Sequence, residues 1–276
     1  MPSWPPFALG DEYLMSELWK ADSLVLARSD NENRFKRNFL KQAVCELRFP
    51  TLMELGEQRP PSSFVKALRK DYPILEMNNE FTLGLGAGNA GSSNIHIFRS
   101  AKANWSVSLK ENSLAIETTA YLGFDNLRER VLQIVDAAEK IIDSDFFTRI
   151  GLRYINVVKT EGEEVTTWIN PFLTAPITSG SFVGINDFGG RMQLLAEDGG
   201  CLFQHGIQLN HTNSDAPVRA EYLIDIDTYR TEVSLSNTAA AIDIMHRQAF
   251  DLFDWALADK ARNFLSADAK PRKGMV

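Results

Sequence analysis

The sequence predicts an α+β fold built of two tandem repeats, each a strand, a helix, three further strands and a long closing helix. Three observations carry the prediction. A strand-like segment ending in Arg48-Phe49-Pro50 opens one series of elements, and Arg149-Ile150-Gly151-Leu152-Arg153-Tyr154-Ile155-Asn156 opens a second in the same order. Each series ends in an amphipathic stretch with the 3.6-residue period of a helix. The segments between them carry the two-residue alternation of strands that bury one face.

In order along the chain, residues 1–35 form an N-terminal extension. Three prolines in the first six residues preclude regular structure there, and Glu12 to Lys20 is expected to be a short helix. Arg28 to Arg34 is polar and reads as a linker, so the extension is expected to pack on the domain or on a partner. The first repeat covers residues 36–147. Its opening strand places Ala43, Cys45, Leu47 and Phe49 on one face and Val44, Glu46 and Arg48 on the other. A short helix containing Phe64, Val65 and Leu68 stops before Pro73, because the residue preceding a proline is pushed out of the helical region. Ile95–Arg99, Trp105–Lys110 and Leu114–Tyr121 read as strands. The helix from Phe124 to Asp143 then sets Leu127, Val131, Ile134, Val135 and Ala138 on one stripe.

The second repeat covers residues 148–276. Its elements are the strand Arg149–Val158, a short, proline-interrupted helical or turn segment at Val165–Leu173, and strands at Arg191–Ala196, Leu202–Leu209 and Glu221–Tyr229. A closing helix from about Ala239 to Phe264 completes it. The two repeats are expected to form one compact unit, with the long helices on one face of antiparallel sheet. That sheet is either two four-stranded sheets or one continuous saddle. One sheet face would then meet helices and the other water or a ligand.

Composition narrows the functional classes. With 29 basic and 36 acidic residues the net charge is −7, which disfavours general affinity for nucleic acid. No window reaches the run of about 18 apolar residues that a membrane span needs. The N-terminus has neither the charged start nor the apolar core of a secretion signal, and the two cysteines fit neither a disulfide scaffold nor a metal spacing. A cytoplasmic location is expected, with no cofactor and no metal.

Familiar catalytic signatures fail. Gly86-Ala-Gly88-Asn-Ala-Gly91 matches a dinucleotide fingerprint in letters, but a strand rather than a helix follows it. His96, His205, His211 and His246 are scattered without metal spacing, and there is no nucleophile elbow or phosphate loop. Charge on central strands is the sharper signal. Glu46 and Arg48 share a face of the first opening strand, Glu117 lies on the fourth strand of that repeat, and Arg149 and Arg153 flank Gly151 on the second opening strand. Asp225 and Asp227 share a face of the last strand. If these faces meet, Glu46, Arg48, Glu117, Arg149, Arg153 and Asp225 line a groove in which arginines clamp a small anion, a nucleotide or phosphorylated compound. The other reading of the same residues is an internal ladder of ion pairs that sets the register of the sheet.

At these residues the chain also resembles a known family. The blocks Cys45-Glu-Leu-Arg-Phe-Pro50, Asp71-Tyr-Pro73, Leu114-Ala-Ile-Glu-Thr-Thr-Ala-Tyr121 and Arg149–Asn156 are similar, in identity and spacing, to a sporadically distributed family of uncharacterised bacterial and archaeal proteins. The likeness covers residues 36 to about 265, and the N-terminal extension departs from it. The resemblance implies a prokaryotic, cytoplasmic setting and supplies no activity, so no catalytic residue is carried over. The expected function is a non-enzymatic protein-binding or accessory module, suited to a defence-type or mobile system, with a protein partner or a second copy of the chain. The alternative is an enzyme or sensor for a small anionic ligand in the arginine-lined groove.

Overall fold

The computed structural model describes residues 18–32, 34–82, 91–160, 163–185, 187–210 and 219–268. The expected helix at 12–20 and the glycine-rich stretch at 86–91 therefore lie largely outside the described residues. Among these residues nine strands form one antiparallel sheet: β1 (Leu40–Arg48), β2 (Ile74–Thr82), β3 (Gly91–Arg99), β4 (Trp105–Leu109), β5 (Ser113–Thr118), β6 (Phe146–Lys159), β7 (Phe188–Ala196), β8 (Gly199–Asn210) and β9 (Arg219–Ser234). Their order across the sheet is β2-β3-β4-β5-β1-β6-β9-β8-β7. The two opening strands, β1 and β6, pair with each other at the centre, and each is flanked by the last strand of its own half. Of the two arrangements left open by the sequence, the continuous sheet is the one observed.

Among the described residues five α-helices accompany the sheet: α1 (Ser62–Leu68), α2 (Phe124–Ala138), α3 (Pro171–Thr178), α4 (Thr238–Ala256) and α5 (Asp259–Ser266). Helix α4 packs on β6 and β9, and α2 touches both α1 and α4. Arg128 on α2 makes a two-pronged bond with Asp243 on α4, at 2.6 and 3.0 Å. Thr228 of β9 donates to the Leu152 carbonyl at 3.1 Å and to the Met245 carbonyl of α4 at 3.4 Å. These bonds identify the helix-covered side of the central strands. Ala43, Cys45, Leu47, Ile150, Leu152, Ile224 and Ile226 all point to that side and are sealed from solvent.

The structure corrects the sequence reading in two places. Strand β2 was not foreseen, because Ile74–Thr82 is an edge strand whose described residues are exposed on both faces, so burial imposes no alternation on its sequence. The single closing helix is two helices. Leu257 leaves the helical region at φ −94° and ψ 149°, bridges to Ile169, and is followed by Ala258, whose N–H donates to the Trp168 carbonyl. The neighbouring loop thus competes for backbone groups that a continuing helix would use. The Arg28–Asn31 segment is held against α4: the Ser29 N–H donates to Asp251 at 2.9 Å, Asn31 bonds Asp254 and Arg28 bonds Asp251.

Candidate functional sites on the two sheet faces

All six residues singled out by the sequence stand on one face of the sheet, the side away from α4. The register places Val44 opposite Arg153 and Glu117, Glu46 opposite Gly151, and Arg48 opposite Arg149. Asp227 lies opposite Arg153 and Tyr229 opposite Gly151 on the next strand. Every arginine of the set meets a carboxylate. Arg48 Nε bonds Glu46 Oε2 at 2.9 Å, and Arg149 Nη1 bonds the same oxygen at 3.0 Å. Arg149 Nη2 reaches Asp227 at 3.3 Å and its guanidinium lies 4.9 Å from the Tyr229 ring centre. Arg153 forks onto Asp225 at 2.8 and 2.5 Å. Glu117 stands apart from the arginines, accepting from Gln42 at 3.0 Å and from Ser106 at 2.9 Å.

This is a ladder of ion pairs that remains open to water. Burial pushes the Asp227 carboxyl up, and Arg149 and Arg153 pull it back down. Gly151, which the sequence marked as room for a close approach, is covered by the Arg149 side chain.

A second polar constellation lies on the helix-covered side, and the sequence reading did not assemble it. A cavity of about 770 Å³ is framed by α4, the first turn of α2, the core faces of β6 and β9, and the 32–40 segment. Inside it the Tyr154 hydroxyl meets His246 Nδ1 at 2.9 Å, and His246 Nε2 faces Glu32 at 3.5 Å. The Phe124 ring stacks on His246 at 3.8 Å between centres. Burial, with Arg247 adding to it, depresses the His246 pKa to about 3, so the imidazole is neutral. A neutral ring facing a carboxylate keeps its proton on Nε2, which makes Nδ1 the acceptor of the Tyr154 proton. Burial raises the Tyr121 phenol to about 12, and its hydroxyl is hydrogen-bonded to Tyr154. Both imidazole nitrogens are thus engaged, and the chain Tyr121–Tyr154–His246–Glu32 orients side chains rather than presenting a free base.

A signal for this cluster was present: Tyr154 is on the core face of its strand, and a buried tyrosine hydroxyl needs a partner. His246 on the apolar stripe of α4 is that partner. The other histidines do not join it. His205 bonds the Tyr222 hydroxyl at 2.7 Å, and His96 is buried on β3. His211 lies outside the described residues. Burial lifts both Cys45 and Cys201 thiols to about 12, which marks them as core residues. Among the described residues no group of three His, Cys, Asp or Glu side chains is placed to hold a metal ion, and no helix is long and apolar enough to cross a membrane. No protein-family model matches the chain, and no curated protein matches it.

Proposed function

We propose that this chain is a non-enzymatic protein-binding module that docks through the β7 end of its sheet, with a second copy of the chain as the occupant. The supporting observation is the apolar, unguarded edge. Among the described residues β7 is the last strand of the sheet, so one row of its N–H and C=O groups has no described strand beside it. Leu195 is 60% exposed and Met192 39%, and Phe182 and Val183, just before the strand, are 66% and 97% exposed. Within β7, Arg191 is the single charged residue and there is no proline, so the usual safeguards against edge pairing are sparse. A second copy offers the same edge, and antiparallel addition would satisfy both rows of backbone groups about a two-fold axis.

The anion-clamp alternative has less support. An incoming anion would have to displace Glu46, Asp225 or Asp227 from arginines they already satisfy. The duplication reading is supported by the shared placement of each half's opening strand beside its last strand, although β2 has no counterpart in the second half. A prokaryotic, defence-type or mobile setting rests on the family resemblance alone, and a cytoplasmic one on that resemblance together with the N-terminal and cysteine patterns of the sequence.

The test is sedimentation equilibrium across a wide concentration series, on the full chain and on Met192→Lys/Leu195→Lys. The expected result is reversible dimerisation that the double variant abolishes with its melting temperature unchanged. A wild-type chain that stays monomeric throughout, or a variant that dimerises equally well, would overturn the proposal.

A further inference from the structure

We propose that the helix-side cavity binds a neutral aromatic molecule with an N–H or O–H donor on its ring, of the indole or phenol type, and that Asn156 accepts that proton. The inference is independent of docking at β7, which lies on another part of the sheet.

Asn156 follows Tyr154 on the core side of β6, between Leu40 of β1 and Ile224 of β9, so its amide stands on the side that α4 covers. The residue is 5% exposed and lines the cavity. Its Nδ2 donates to the Ile224 carbonyl at 3.4 Å, while its Oδ1 accepts from no described residue. Among the described residues the unpartnered polar atoms sealed from solvent are His96 Nε2, Asn126 Oδ1, Arg130 Nε and Thr238 Oγ1. Asn156 Oδ1 is not one of them, so it opens onto the cavity that its residue lines. A core face that buries Leu152, Tyr154 and Val158 gains little from an amide whose acceptor stays unmatched.

The walls select the body of the guest. Phe35, Tyr121, Phe124, Phe250 and Phe253 line the cavity, and each is only partly buried. Phe35 and Phe250 stand 5.6 Å apart between ring centres, and Phe250 and Phe253 stand 6.4 Å apart. Rings left open to a cavity favour a flat apolar guest, by stacking or by edge-to-face contact. At about 770 Å³ the space falls in the size range of small-molecule sites.

Charge selects against an ion. His246 and Tyr154 are engaged with each other, and the imidazole is neutral. Glu32 is matched by Arg247 at 3.0 Å and Lys36 by Asp268 at 2.6 Å. Arg37 donates to the Asp268 carbonyl and lies 4.8 Å from the Phe264 ring centre, and Asp125 is exposed to water. A charged guest would give up its hydration with no buried counter-charge left to meet it, whereas a neutral ring gives up little. An unmatched acceptor among apolar rings therefore calls for a neutral ring that bears a donor.

The experiment is an NMR titration of the full chain with indole and with phenol, beside 1-methylindole and anisole, which keep the ring and lose the donor. Indole and phenol are expected to bind, with magnetisation transfer between their ring protons and the methyl group of Ala249, which lines the cavity. The methylated rings are expected to bind about fivefold or more weakly, because they cover the Asn156 acceptor without supplying a donor. Asn156→Leu keeps a branched side chain of similar shape and is expected to erase that difference. No binding of indole or phenol at millimolar concentration, equal binding of the methylated rings, no transfer to Ala249, or a preference that persists in Asn156→Leu would each overturn the inference. Should the variant fold poorly, the methyl comparison and the Ala249 contact on the wild-type chain decide.

Discussion

The Arg149 guanidinium lies across Gly151, so close that a β-carbon added there would come within 2.9 Å of Arg149 Cζ. The glycine is what lets the arginine fold down onto the sheet, over the Tyr229 ring and between Glu46 and Asp227. A space that the sequence offered to a ligand is taken by the chain's own side chain.

Gly151→Ala is therefore expected to push Arg149 off Tyr229 and away from its carboxylates. Each of those contacts contributes up to about 1 kcal/mol at a site this open, while alanine in a strand regains about 0.5 kcal/mol over glycine. The net expectation is a loss of about 1 kcal/mol in urea unfolding. In an Arg149→Ala background the same substitution is expected to be neutral or stabilising, and equal losses in both backgrounds would show that the two residues are not coupled.

Arg230 makes a different kind of pair. Its side chain is fully buried on β9 and bonds Asp22 Oδ1 at 2.8 and 3.0 Å, the Tyr229 carbonyl, and Gln248 on α4. Asp22 belongs to the N-terminal segment, so this bond ties the extension to the domain. Asp22→Ala leaves a buried cation short of its counter-charge and is expected to cost about 3–5 kcal/mol, whereas Asp22→Ala/Arg230→Met is expected to cost less. A loss under about 1 kcal/mol for the single variant would place the pair with ordinary surface bridges.

His246 predicts a pH dependence. In the fold it stays neutral down to about pH 3, while an unfolded histidine takes up its proton near 6.5. Between those values the unfolded chain binds more protons, so stability falls as pH drops through that window, by several kcal/mol at full extent. Asp227 and Asp251 act oppositely: burial raises both, so protonation there favours the fold as pH falls towards their unfolded value of 3.8. Comparing the chain with His246→Phe isolates the histidine, and the variant is expected to show the shallower decline between pH 6.5 and 4. Parallel curves would mean that His246 is already charged in the fold.

Much of the site on the open face was legible from alternation alone. Because side chains repeat every two residues in a strand, Glu46 with Arg48, Arg149 with Arg153, and Asp225 with Asp227 had to share faces once their strands were recognised. Cross-strand partners were not legible. That Arg149 meets Glu46 and Asp227, or that Glu117 meets Gln42 and Ser106, depends on register between strands far apart in sequence. The cavity was less legible still, since Glu32, Tyr121, Tyr154 and His246 come from four separate segments, and each alone reads as an ordinary residue of its own element.

By itself the sequence determined the α+β class, the opening strands β1 and β6, the stripe of α2 and the polar faces of the central strands, because each follows from local periodicity and the burial of one side. Tertiary structure decided what periodicity cannot carry. It joined the strands into one sheet, added β2 at an edge where no burial pattern marks a strand, and broke the last helix at Leu257, where the Trp168–Asn170 loop claims its backbone. It also closed the arginines onto carboxylates, since opposite charges on adjacent strands of an open face satisfy each other before any ligand arrives.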